Sequence, residues 1–177
     1  VLKMSRLIRP AEFGSNDTVM LARWLLGKRL VVRTETDWRS LAIIETEAYD
    51  GPDDLACHAS KGRTARTEVM FGPAGIWYVY LVYGMHEMLN IVTGEEGYPA
   101  AILIRGLDGL VGPGRLTKAL GIDRRFNKTP AGRKTGMYLE DVGEGYADDE
   151  VEATPRIGVS YAGSDWANRL YRFALKQ

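Results

Sequence analysis

The chain has little cysteine: Cys57 stands alone among 177 residues, so no disulfide can form within it. It has no long hydrophobic run either. The longest, around Ile76 to Met85, falls far short of the ~20 residues needed to cross a bilayer, and no basic start followed by an apolar segment marks a secretory signal. A soluble, cytoplasmic protein with no membrane partner is therefore expected. Histidine is scarce too, limited to His58 and His86, and no H-x-x-x-H or equivalent spacing joins either to the acids nearby. Neither a metal nor a cofactor is expected. Gly112-Pro113-Gly114 is too short for a nucleotide P-loop and lacks the following G-K-[ST]. An excess of one charge is also missing, since 23 Lys and Arg offset 23 Asp and Glu. Taken as a total, that balance counts against a polyanionic partner.

The distribution of charge says otherwise. Between Val111 and Gly136 lie Arg115, Lys118, Arg124, Arg125, Lys128, Arg133 and Lys134 against the single acid Asp123. Between Leu139 and Glu152 the acids Glu140, Asp141, Glu144, Asp148, Asp149, Glu150 and Glu152 have no base among them. Blocks of this kind cancel in the sum while leaving one basic face able to hold a polyanion, although two ordinary solvated faces would give the same pattern. With 45% hydrophobic residues and 10% aromatics, the chain has material for one real core, and residues 1–177 are read as a single domain.

Capping residues from Ser15 to Asp17 predict a first helix ending at Gly27. Leu30 to Glu35 and Leu41 to Tyr49 flank a polar segment in the manner of a hairpin, and a loop with little regular pattern then runs from Gly51-Pro52 past His58 to Met70. The aromatic and β-branched run Ile76 to Tyr83 predicts a strand with Trp77, Val79 and Leu81 on one side and Tyr78, Tyr80 and Val82 on the other. Gly84 breaks it. Further strands are expected at Asn90 to Thr93 and Ala100 to Arg105, a short helix between Pro113 and Gly121, an acidic surface excursion, and late strands at Arg156 to Tyr161 and Leu170 to Leu175.

The most informative stretch is I-I-E-T-E-A-Y-D-G-P-D-D-L-A-C-H at 43 to 58. As a strand, Leu41 to Tyr49 would send Ile43, Glu45, Glu47 and Tyr49 to one face and Ala42, Ile44, Thr46 and Ala48 to the other. A desolvated Glu beside an aromatic ring and a histidine is suited to general base chemistry, because burial raises its proton affinity towards the working pH. Spacing does not choose between Glu45 and Glu47.

E-T-E-A-Y at 45 to 49, His58, M-F at 70 to 71, Y-V-Y-L-V-Y-G-M at 78 to 85, Asn90, Arg105 and G-P-G-R-L-T-K-A-L at 112 to 120 form an ordered set. It continues into R-I-G-V at 156 to 159 and Trp166, and together these resemble the alkyladenine (3-methylpurine) DNA glycosylases. The resemblance implies an α+β fold: a single mixed domain around a mainly antiparallel curved sheet, with a protruding DNA-inserting hairpin. It implies a monomeric, monofunctional base-excision repair enzyme acting on double-stranded DNA that contains damaged purines. Its substrates would be N-alkylated purines such as 3-methyladenine and 7-methylguanine, and some deaminated ones such as hypoxanthine. By the resemblance Glu47 is the general base; Tyr49, His58, Tyr80, Asn90 and Arg105 form the base pocket; Tyr83 and Met85 act as the DNA wedge. Phosphate contacts are expected at Gly114, Arg115 and Lys118, at the start of the short helix.

Two other functions fit the residues. A non-catalytic reader of distorted nucleic acid would use the same aromatic hairpin, and a small-molecule hydrolase would use Glu45 and Glu47 as a carboxylate pair.

Overall fold

The computed structural model describes residues 4–176. Its ten strands join in one network in which every pairing is antiparallel. The strands are β1 (Arg6–Leu7), β2 (Arg29–Arg33), β3 (Trp38–Asp50), β4 (Trp77–Val82), β5 (His86–Thr93), β6 (Ala100–Leu107), β7 (Leu110–Val111), β8 (Met137–Asp141), β9 (Val151–Thr154) and β10 (Arg172–Leu175). The helices are α1 (Thr18–Trp24), α2 (Pro113–Leu120) and α3 (Gly163–Asn168). The main path runs β1-β8-β2-β3-β6-β5-β4, with β10 and β9 attached beside β3 and β7 beside β6. This is an α+β architecture. Among the described residues no helix is long and apolar enough to cross a membrane.

β3 organises the sheet. One edge pairs with β6, while the other pairs first with β2, as in Ala42 opposite Arg29, and then with β10, as in Glu47 opposite Arg172. The change of partner coincides with a break in the pleat. The residues that β3 gives to the main core are Leu41 and Ile43, then Thr46, whose hydroxyl donates to the Ala22 carbonyl at 2.8 Å, and Ala48. β6 gives Ile102 and Ile104, then Leu107. Both strands skip a step of the alternation at the same level, where the register is irregular between Ile43 and Thr46. The expected strict period of two is therefore corrected. Ile43 does not share a face with Glu47; it is buried in the core with Leu30, Leu139 and Leu107.

That core holds one face of the sheet against α1 and α2, through residues such as Leu21, Leu25, Leu116 and Leu120. Each such fully buried aliphatic side chain contributes roughly 1.5–3 kcal/mol relative to exposure. Asp17 caps α1 by accepting from Met20 N at 2.9 Å, and the helix ends at Trp24, short of the expected Gly27, because residues 25–27 turn to pair Gly27 N with the Ile43 carbonyl.

β4 and β5 form a hairpin closed by Tyr83, Gly84 and Met85, with Val82 opposite His86. The expected alternation holds: Trp77 and Val79 enter the main core, whereas Tyr78 and Tyr80 pack into a second cluster on the opposite side with Cys57, Met70 and Val92.

Three further expectations are corrected. The loop after Gly51 contains short 3-10 turns at His58–Lys61 and Glu68–Phe71, the second prepared by a Thr64 to Thr67 side-chain turn. The acidic stretch is not a surface excursion throughout, since β8 pairs with β1 and β2, and β9 pairs with β10. Its acids find bases elsewhere: Asp141 meets Lys28 at 3.1 Å, and Asp148 meets Arg23 at 2.6 Å. Residues 156–161 are not a strand but an irregular segment leading into α3, drawn inwards by the buried side chain of Arg156.

Candidate active site

On the face of the sheet away from the main core, β3, β4, β5 and β6 floor a cavity of about 410 Å³, and the 56–58 and 157–161 segments wall it. Tyr49, His58, Tyr80, Asn90 and Arg105 all line it, as does Tyr83 at the hairpin tip. Residues far apart in sequence, grouped by the resemblance, thus meet in one hollow.

Glu47 lies directly beneath the lining and is 0% exposed. Its Oε1 accepts from the Tyr49 hydroxyl at 3.1 Å and from Arg105 Nη1 at 3.4 Å, and its Oε2 accepts from the backbone N–H of Ile157 at 2.7 Å. All three donors belong to residues that line the cavity. Burial raises the Glu47 pKa above its ordinary value, and Arg105, the Ile157 N–H, Tyr49 and Arg156 pull in the opposite direction without cancelling it. Glu45 is different. Its Oε1 accepts from Arg105 Nε at 3.0 Å and Arg172 Nε at 2.7 Å, so two guanidinium groups already hold it. The choice that spacing left open is now constrained by geometry: Glu45 is held in an ion-paired cluster, and Glu47 is the desolvated carboxylate at the cavity.

The aromatic wall is rigid and neutral. Tyr78 and Tyr80 have ring centroids 5.0 Å apart, and His58 meets the Tyr80 ring edge-on at 4.8 Å while its Nδ1 lies 3.2 Å from the Tyr78 hydroxyl. Burial, with Arg66 and Lys61 nearby, pushes the His58 pKa down to about 4, so the imidazole is uncharged at neutral pH. Burial pushes the Tyr78 phenol up to about 12 and that of Tyr80 higher still. Asn90 directs its amide N–H groups at the Tyr78 and Met88 carbonyls, 3.1 and 3.3 Å away, which leaves its own carbonyl oxygen as the remaining polar atom. Arg105 bridges the two carboxylates as well as lining the cavity.

At the rim, Tyr83 is 90% exposed and Met85 69% exposed. Tyr83 has φ 52°, a left-handed conformation uncommon for an aromatic residue, at a cost of order 1 kcal/mol. Met85, Gly114, Arg115 and Lys118 do not line the cavity, though Pro113 at the first turn of α2 does. Gly114 is close-packed, since a Cβ there would sit 2.9 Å from His86 Nδ1. Among the described residues Arg115 and Lys118 have no ion pair, whereas Arg124, Arg125 and Arg133 pair with Glu87, Asp123 and Glu140. The basic block is thus only partly free.

Sequence reasoning missed Asp54, Ile157, Arg66, Tyr161 and Arg172. Arg66, in the loop after His58, places its guanidinium 4.7 Å from the Tyr80 ring centroid. Asp54 carries the one local signal that was available, an acid two residues before Ala56 in a D-G-P-D-D turn, where it accepts from the Ala56 N–H. No group of three or more His, Cys, Asp or Glu side chains converges among the described residues.

Comparison with known proteins identifies the family. The family model described as methylpurine-DNA glycosylase matches residues 12–110 and 108–177. A Legionella pneumophila (strain Paris) protein bearing the name "Putative 3-methyladenine DNA glycosylase" is 46% identical over 180 residues, covering 98% of this chain and 96% of that protein. A Myxococcus xanthus (strain DK1622) protein of the same name is 46% identical over 172 residues, covering 92% of this chain and 87% of its own length. Matches of that extent, from one end of the sheet to α3 and β10, show that this chain belongs to the methylpurine-DNA glycosylase family.

Proposed function

We propose that the protein is a monofunctional DNA glycosylase that removes alkylated purines from duplex DNA by attack of a water activated by Glu47. The observation that carries this reading is the contrast between an ion-paired Glu45 and a desolvated Glu47 beneath an aromatic cavity of about 410 Å³. A purine inside a duplex is out of reach, so the damaged nucleotide must first be extruded, at a cost of a few kcal/mol that is smaller for a poorly paired lesion. Tyr83 and Met85, exposed at the hairpin tip, are suited to fill the gap left in the stack. The free N–H groups at the start of α2, with Gly114, Arg115 and Lys118, would hold backbone phosphates.

The extruded base would lie against Tyr80, Tyr49 and His58. Neutral aromatic faces favour 3-methyladenine and 7-methylguanine, which carry positive charge. Asn90 would crowd the exocyclic amino group of an undamaged guanine, and Arg105 would stand beside the flipped nucleotide while holding Glu47. Glu47 takes a proton from water, the oxygen bonds to C1′, and the bond from C1′ to the purine nitrogen breaks. A cationic purine leaves as the neutral base. Hypoxanthine needs protonation or a hydrogen bond to N7, so its release should be slower. No lysine lines the cavity among the described residues, in keeping with attack by water rather than by an amine.

The test is release of free base from a duplex carrying one 7-methylguanine or one hypoxanthine, comparing the intact protein with Glu47→Gln. Release by the first and none by the second is expected. No release from either substrate would favour a non-catalytic reader of distorted nucleic acid.

A further inference from the structure

Behind the cavity wall lies a buried charge pair that none of these roles uses. The side chains of Asp54 and Arg156 are both 0% exposed and meet through two parallel contacts, Nη1 to Oδ2 at 2.5 Å and Nη2 to Oδ1 at 2.9 Å. Arg156 Nη1 also donates to the Ala48 carbonyl at 2.9 Å, and its guanidinium lies 5.0 Å from the Tyr49 ring centroid and 5.1 Å from that of Tyr171. Nε has no partner. Asp54 in turn accepts from the N–H groups of Asp50 and Ala56. The pair therefore ties the segment after β9 to the end of β3. The next residue along, Ile157, gives its N–H to Glu47, the neighbour of Ala48. Buried ion pairs recover little net stability once desolvation is counted, so stability alone is a weak reason for this one.

We propose that Asp54 and Arg156 are positioning residues for Glu47: their pairing fixes the Arg156–Ile157 peptide so that its N–H holds Oε2, leaves Oε1 with Tyr49 and Arg105, and keeps the carboxylate ionised in a dry site. The inference rests on the glycosylase reading of Glu47. The charged and titratable groups around that carboxylate are consistent with it. Arg105 comes from β6, Tyr49 from β3 itself, and Arg156 with the Ile157 N–H from the segment after β9. Across the sheet, Arg172 on β10 is occupied by Glu45, and Tyr80 and Tyr161 face Glu47 as phenols whose own pKa values are raised by burial. Removing the pair withdraws Arg156, one of the four influences that oppose burial, and releases the peptide that carries a second, the Ile157 N–H.

The double substitution Asp54→Asn/Arg156→Met removes both charges together and so leaves no unpaired buried ion. Ile157→Pro deletes the donor alone, at a residue that is 52% exposed. The primary measurement is the carbon-13 NMR titration of the Glu47 carboxyl in the whole protein without DNA, assigned by its loss in Glu47→Gln. The secondary one is the acidic limb of the pH profile for base release. Both variants should titrate Glu47 about one pH unit higher than the intact protein, with the acidic limb moving by the same amount. Arg156→Lys, which keeps the charge but loses the fork, should fall between. An unmoved Glu47 midpoint in both variants, with lowered thermal stability, would overturn the proposal and leave the pair a structural tie. A moved midpoint in a protein that releases no base would uphold the positioning and overturn the glycosylase reading instead.

Discussion

The surroundings of Glu45 and of Glu47 are built on one strand, two residues apart, and share Arg105, yet they differ in kind. Glu45 Oε1 has a guanidinium on either side, at 3.0 and 2.7 Å. Glu47 has one more distant guanidinium contact, at 3.4 Å, and otherwise neutral donors, and it is sealed from solvent. The difference shows how a fold gives like side chains unlike surroundings: the first carboxylate is matched by cations, and the second is under-compensated, as the base role proposed for it requires.

Three measurements would break or sharpen that contrast. The largest effect expected is on turnover, where Glu47→Gln should cost roughly 10²–10⁴-fold in base release and Glu45→Gln, per folded molecule, less than about tenfold. Equal losses would mean the two act as a carboxylate pair. Next comes stability. Glu45→Gln leaves Arg172 without its anion and Arg105 with only its longer contact to Glu47, and should lower the unfolding free energy by roughly 3 kcal/mol in denaturant melts. The smallest effect is a dependence on pH. The folded state holds the Glu47 proton to higher pH than the unfolded chain does, so the contribution of this group to stability declines as pH rises from the unfolded value of 4.5 through the raised folded one. Glu47→Gln should therefore gain thermal stability relative to the intact protein at about pH 8 and lose that advantage by about pH 4. A difference in Tm that is constant with pH would show that Glu47 is no less well compensated than Glu45.

How far these features could be read from sequence depended on how local their causes are. The β4 strand was legible because its alternation of Trp77 and Val79 against Tyr78 and Tyr80 is an intrinsic pattern that both faces of the sheet then use. The cavity was legible through the resemblance, since Tyr49, His58, Tyr80, Asn90 and Arg105 carry it. The face of Ile43 was misread because the skipped step in β3 is matched by one in β6, a cooperation between strands that neither segment announces. The segment from Arg156 to Tyr161 has the apolar alternation of a strand. What overrides it is the ion pair with Asp54, 102 residues away, which no window along the chain can register.

Immediately below the tip of the β4–β5 hairpin, His86 packs against Gly114, where a Cβ would come 2.9 Å from its Nδ1, and the next residue, Glu87, accepts from Thr117 of α2 through its carbonyl at 2.9 Å and meets Arg124 at 3.2 Å. The strand end that carries the turn is thus tied to α2 by these contacts as well as to β4 by the ladder. Tyr83 and Met85 are therefore presented from a base that α2 shares.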